Sequence, residues 1–343
     1  MVLGRVGHLR VEGSMPIRWL MLAVGAIPLS SLPVSGQPIA ASAVRNEPWV
    51  TPAVRAPRVS FRTFESRAVG GPVSYHVFIP AAYDQPDVRL PVLYWLHGTV
   101  GGVVGIRPMA RFFDEAIEAG SLPPMLVVFV NGLPRRLWAD SKDGGSPVET
   151  VFITEVIPDV DRQFRTLARR EGRILEGFSM GGYGAARLGF KHPELFAGIS
   201  ILAGGPFDLE LRGPRASRNP RLRQAILRDV CSGDIDYFEA ISPWRIAETA
   251  AGALRETGMV VRQVVGGRDE SLELNRRFHD RMTELGVEHD YAELPDVDHD
   301  ARGLLAALGA DNGTFYRRAL ESSAPAALPA SGNGRSEVDD PGR

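Results

Sequence analysis

The sequence predicts one doubly wound α/β domain, with a mostly parallel central sheet and helices on both of its faces. Three observations carry that reading. Short, nearly continuous apolar runs recur along the chain and end in Gly or Asn. Stretches with helical periodicity separate them. A Gly-x-Ser-x-Gly motif sits where one run passes into a helix. Apolar runs without polar alternation suit parallel strands covered on both faces. Strand–helix alternation over roughly 230 residues closes into one layered domain.

In chain order, the first strand is expected at Val73 to Ile79, where apolar residues alternate. Leu90 to Leu96, Met125 to Val130, Gly198 to Leu202 and Met259 to Val265 are the continuous runs. Arg173 to Glu176 is a shorter candidate of the same kind, and Tyr291 to Leu294 a late one. Helices are expected at Val148 to Phe164, kinked by Pro158, and at Ser271 to Leu285. In the latter, Leu274, Phe278, Met282 and Leu285 share one face. Residues 206–244 interrupt the pattern with a polar, Arg-rich stretch ending in Ser242-Pro243-Trp244, and a small cap insertion is expected there.

Both ends differ from this middle. Arg18, the apolar run Trp19 to Ile27 and the small residues Ala40-Ala41-Ser42-Ala43 predict a secretory signal over residues 1–43, with translation from Met1 or Met15. Nine residues before Pro28 are too few to span ~30 Å of hydrocarbon, so no stable membrane anchor is expected. The main domain is placed at 44–320, and 321–343, poor in large apolar residues, is read as a disordered tail. Export to a periplasmic or extracellular compartment follows as an expectation.

Composition narrows the function classes. Of 343 residues, 44% are hydrophobic and 23% charged, which excludes a disordered, collagen-like or polytopic membrane chain. With 39 basic and 41 acidic residues there is no electrostatic footprint for nucleic acid. A single cysteine, Cys231, excludes an internal disulfide and any multi-thiolate metal site.

The chemistry is expected to centre on Gly177-Phe178-Ser179-Met180-Gly181. A strand turning directly into a helix cramps the backbone, and glycines beside the turn residue relieve the clash. The serine hydroxyl is then lifted into a cleft at a helix N-terminus. A serine needs a base, and the base an orienting acid. Four histidines follow Ser179 in the chain. His192 reads as a helix end, His279 as a solvated helix residue and His289 as the start of a strand. His299 lies in the loop after the last strand and is the expected base. Gly266-Gly267-Arg268-Asp269-Glu270 directly follows the Met259 to Val265 strand, and Asp269 at its carboxyl end is the expected acid. Helix capping is its other candidate job, which the same residue could combine with the first, and Glu270, Glu273 and Asp298 are substitutes. Backbone amides of Thr99 and Met180 are the expected oxyanion donors, and His97 is read as shaping the turn. Trp138, Phe207 and Trp244 either line the substrate site or belong to the core.

Leu96-His97-Gly98, Asn131-Gly132, Gly177 to Ala185 with its trailing Met-Gly-Gly-x-Gly, and His192-Pro193-Glu194-Leu195-Phe196 together resemble the bacterial putative-esterase family. That family includes feruloyl and acetylxylan esterases, tributyrin esterases, S-formylglutathione hydrolases and mycolyltransferases. The resemblance covers Val73 to Leu308. It implies the α/β-hydrolase fold, with Ser179 as nucleophile, Asp269 and His299 as its partners, and Thr99 and Met180 as the oxyanion hole. It implies hydrolysis of a small or carbohydrate-linked ester through an acyl-enzyme, with no cofactor. An acyltransferase would use the same residues, and an inactive binding module would show a damaged set. The chain departs from the family around the base, where Asp296, Asp298 and Asp300 surround His299. Carboxylates that close would favour the imidazolium, so an acidic limb above neutrality is expected in the pH profile.

Overall fold

A computed structural model describes residues 48–205 and 220–321. The residues read as a secretory signal, the tail from 322 onward and Phe207 lie outside that set. Eight strands form one sheet in the order β1-β2-β4-β3-β5-β6-β7-β8. β1 (Val59–Ser66) and β2 (Gly71–Phe78) make an antiparallel hairpin, and β2 runs antiparallel to β4 (Leu126–Val130). From β4 the neighbours are all parallel: β3 (Val92–Leu96), β5 (Arg173–Phe178), β6 (Gly198–Leu202), β7 (Val260–Gly266) and β8 (Asp290–Leu294). This is the expected α/β-hydrolase arrangement. β1 is the addition that the sequence reading did not anticipate.

Two separate cores explain why the central strands read as continuous apolar runs. Tyr94 and Leu96 of β3 face one core, and Leu93 and Trp95 face the other. The first core is closed by α2 (Val148–Thr150), α3 (Ile157–Gln163), α4 (Met180–Lys191), α5 (Pro220–Asp229), α6 (Ile235–Ile241), α7 (Pro243–Thr257) and α8 (Leu272–Glu284). The second is closed by α1 (Ile106–Glu118), α9 (Ala301–Ala307) and α10 (Ala310–Glu321). Leu274 excepted, the apolar face expected on α8 packs inward, with Phe278 and Met282 fully buried.

Pro158 acts one turn earlier than expected. α2 and α3 are joined by a π-helical segment, Val151–Val156, and the Ile157 amide bonds Phe152 O five residues back. The widened turn delivers Pro158 to the first turn of α3, where its missing N–H costs nothing. The insertion between β6 and β7 holds α5 to α7, with 206–219 outside the described residues. Among the described residues no helix is long and apolar enough to cross a membrane.

A polar row crosses the sheet beneath the β5–β7 strands. Glu176, Ser200 and Arg262 are register partners. Arg262 donates to Glu176 at 2.8 Å, to Ser200 Oγ at 3.0 Å and to Asn312 Oδ1 at 2.9 Å, and the Tyr316 hydroxyl donates to Glu176 at 2.9 Å. Every member is buried and bonded, which is the condition for tolerating a buried ion pair. At the other end of the sheet, Pro48 and Trp49 are strapped down by the Asn131 side-chain amide, which donates to both of their carbonyls at 3.0 Å.

Candidate active site

Ser179 occupies the turn between β5 and α4 with φ 58° and ψ −119°, a conformation L residues rarely adopt. The flanking glycines are sterically required. A Cβ at Gly177 would lie 2.1 Å from Gly181 O, and one at Gly181 would lie 1.9 Å from Leu96 O. The turn is held by the Ser179 amide donating to Leu202 O at 2.8 Å and by the Tyr183 amide donating to Ser179 O at 3.0 Å.

Two loops from the carboxyl ends of β7 and β8 bring their residues to this hydroxyl. His299 Nε2 lies 2.9 Å from Ser179 Oγ, and His299 Nδ1 lies 2.7 Å from Asp269 Oδ2. An ionised carboxylate only accepts, so Nδ1 carries the proton and Nε2 faces the hydroxyl as acceptor. The Asp269 side chain is fully buried. Its other oxygen accepts from the Ser271 amide and hydroxyl, each at 2.7 Å. Burial alone would raise the Asp269 carboxyl. The bonds from His299 and Ser271 outweigh it and hold the group below the ordinary carboxylate value. The second oxygen fixes the Ser271 turn ahead of α8 and bonds no first-turn amide of that helix, so the capping role considered for Asp269 is not the one it takes. The Phe178 ring packs on the imidazole at 4.5 Å.

Of the substitute acids, Glu270 and Glu273 line the cleft, and neither bonds His299. The carboxylates flanking the base point elsewhere. Asp298 lies 3.3 Å from Arg268 Nε, Asp296 faces the same guanidinium at 3.9 Å, and Asp300 caps α9 by accepting from the Arg302 and Gly303 amides.

The cleft encloses about 1450 Å³. Thr99 and Met180 line it with Ser179, and Gly98 passes close above, where a Cβ would lie 3.5 Å from Ser179 Cβ. Val100 and Val104 form an apolar lip, 76% and 69% exposed. Leu222, Leu274, Glu273 and Arg277 line the cleft as well.

Two aromatic residues considered for the substrate site lie away from the cleft. Trp138 is completely buried, with its indole Nε1 donating to His97 O at 3.3 Å and its ring against Phe152. The loop before it turns through left-handed conformations at Leu133, Arg135 and Leu137, which rolls the indole into the core. Trp244 is half-buried against Phe278, at 6.1 Å between rings. His192 ends α4 as expected and bonds Glu149 at 2.9 Å. His279 differs from the reading as a solvated residue, because it bonds His289 at 2.8 Å and stacks on Tyr291. Ser271, Phe178 and the valine lip were not anticipated. Asp269-x-Ser271, an Asx-turn pattern, was the one available signal among them.

Comparisons with known proteins bear on the fold and the family. The chain is 31% identical over 270 residues to Esterase Rv1288 of Mycobacterium tuberculosis, covering 70% of this chain and 55% of that protein. It is 30% identical over 169 residues to an endo-1,4-beta-xylanase/feruloyl esterase of Xylanibacter ruminicola, covering 45% of this chain and 23% of that protein. It thus spans about half or less of the length of these curated relatives. A ferulic acid esterase structure superimposes with a TM-score of 0.61 at 24% identity, covering 76% of this chain and 97% of that one. An S-formylglutathione hydrolase from Agrobacterium tumefaciens gives 0.61 at 16% identity, covering 76% and 95%. Both structures share the α/β-hydrolase fold. A family profile described as "Putative esterase" matches residues 66–303, from the end of β1 into α9 and well over half of the chain. The chain belongs to that esterase family.

Proposed function

We propose that this chain is a serine carboxylic ester hydrolase acting through an acyl-enzyme. The observation that carries the reading is the unbroken line from Ser179 Oγ through His299 to the buried Asp269 carboxylate. His299 Nε2 takes the hydroxyl proton as Ser179 Oγ attacks the ester carbonyl. Asp269 holds the imidazole in the required tautomer and offsets its positive charge. The Thr99 and Met180 amides receive the oxyanion, and loss of one such donor typically costs about 2.7–4 kcal/mol of barrier. His299 then protonates the leaving alcohol, and water attacks the acyl-enzyme with His299 again as base. These steps call on side chains and backbone amides alone.

The substrate is proposed to be a small or carbohydrate-linked ester. The similarity to the Xylanibacter ruminicola endo-1,4-beta-xylanase/feruloyl esterase supports this reading. Residues 1–43 are proposed as a secretory signal that places the domain, 44–320, in an export compartment. The insertion at 206–244 is proposed as a small cap, supported by Leu222 of α5 on the cleft wall.

The test is hydrolysis of p-nitrophenyl acetate by the chain from Val44 onward beside Ser179→Ala. The expected loss in the variant is at least about 10³-fold in kcat. Equal, slow rates in both would overturn the proposal. An added alcohol that captures the acyl group faster than water does would reassign the chain as an acyltransferase with the same three residues.

A further inference from the structure

The loop that carries Thr99 is built around a histidine that the proposed reaction leaves unused. His97 follows β3 and is buried, and both ring nitrogens are committed. The Gly132 amide donates to Nε2 at 3.0 Å, so the ring proton sits on Nδ1, which donates to Gly98 O at 2.7 Å. That oxygen also accepts from the Gly101 amide at 3.3 Å.

The Gly98 carbonyl and the Thr99 N–H are the two ends of one peptide unit. The unit is planar and trans, so its N–H points opposite to its C=O. Whatever grips the oxygen sets the direction of the amide. Donors on the carbonyl also polarise the unit and strengthen its N–H. The imidazole is itself clamped, with the Trp138 ring 4.9 Å away and Trp138 Nε1 bonded to His97 O. Its partner Gly132 follows Asn131, which is tied to the Pro48–Trp49 strap. Burial holds the ring neutral, pulling its titration from 6.5 down to about 4 against the bond to Gly98 O.

We propose that His97 is a positioning residue, which aims the Thr99 amide into the oxyanion site by gripping the Gly98 carbonyl with Nδ1–H. The inference rests on Ser179, His299 and Asp269 being the catalytic set. His97 touches no reacting atom. Its effect falls on the barrier and leaves ground-state binding alone, because an oxyanion forms only in the transition state.

Two isosteric variants separate this role from simple support. His97→Asn places an amide N–H near the position of Nδ1 and keeps the Gly98 bond. His97→Gln places an amide oxygen near the position of Nε2 and keeps only the Gly132 bond. For p-nitrophenyl acetate, His97→Gln is expected to lose about 10²-fold in kcat with KM within about twofold, a large part of what one oxyanion donor supplies. Its affinity for a trifluoromethyl ketone, which forms a tetrahedral oxyanion adduct, is expected to fall by a similar factor. His97→Asn should recover most of both losses. Equal losses in the two variants, tracking their melting temperatures, would overturn the proposal, as would full activity in His97→Gln.

A measurement on the unaltered chain covers the case in which neither variant folds. ¹⁵N NMR of the histidine rings is expected to show His97 protonated on Nδ1 alone, and an Nε2–H tautomer would overturn the proposal. A wild-type chain that neither turns over the ester nor binds the ketone would instead remove the ester hydrolase reading itself.

Discussion

Two buried histidines should make the domain lose stability in mild acid, well before its carboxylates titrate. His76 on β2 is 2% exposed, and its Nε2 accepts the Val54 amide at 3.0 Å. Burial pulls its titration from 6.5 to about 4, with a bond to Pro52 opposing, and His97 is drawn down to the same extent. In the unfolded chain both protonate near pH 6.5. Between pH 6.5 and 4 the unfolded state therefore binds more protons than the folded one, and stability falls as pH falls. The contribution is fully present above pH 6.5 and is lost by about pH 4. A drop of that size is worth about 3 kcal/mol per histidine, and two of them rival the 5–15 kcal/mol of a whole domain. Asp269 and Glu149, both held below their ordinary values, act in the same direction only below about pH 4.5. His289, also lowered by burial, adds to the wild-type slope and not to the difference between variants. The assay is urea unfolding at pH 7.5, 6, 5 and 4, beside His76→Gln, whose amide oxygen can accept from Val54 without titrating. The variant should lose about 3 kcal/mol less than wild type across that range. Parallel slopes would refute the reasoning.

Other outcomes follow from the same contacts. Arg262→Met leaves the Glu176 carboxylate buried and unpaired and should cost about 3–5 kcal/mol, whereas Glu176→Leu with Arg262→Met should recover most of it in thermal or urea unfolding. Gly181→Ala drives a methyl into Leu96 O, so p-nitrophenyl acetate turnover should vanish and the melting temperature fall. Asp269→Asn should keep the fold by circular dichroism while kcat drops by about 10⁴, as expected when the imidazole takes the wrong tautomer. Val100→Asp with Val104→Asp should lower the octanoate-to-acetate rate ratio about tenfold. Each methylene the lip covers is worth about 0.8 kcal/mol, so an unchanged ratio would show that the acyl chain lies elsewhere.

The parallel strands and the Ser179 turn were legible because each leaves a local mark. Two-sided burial writes an apolar run, and a cramped turn writes two glycines. Asp269 and His299 carry no such local mark and were picked by chain order and by their places beyond strand ends, since 120 residues separate Ser179 from the base. β1 was missed because it is an edge strand whose pattern breaks at Arg62 and Thr63, both exposed. The aromatics could not be placed, because whether Trp138 enters the core depends on the left-handed turns preceding it, at residues that are not glycine. The partners of the three aspartates around His299 were not legible either. Adjacency in sequence does not fix direction, and Asp296 and Asp298 face Arg268 while Asp300 caps α9.

Trp138 has a consequence for how this region can change. A Cβ at Gly132 and one at Gly184 would each meet the indole at 2.4 Å, although the two glycines lie on different segments. Neither can acquire a side chain while the indole remains, and the indole cannot shrink without leaving a void behind the ring of His97. Positions 132, 138 and 184 therefore behave as one inherited unit. In a scan of single substitutions all three should read as intolerant, while paired exchanges of a smaller ring for the indole and alanine for one glycine should survive. Drift around the back of the cleft proceeds by double steps, and the neighbouring single mutants are valleys.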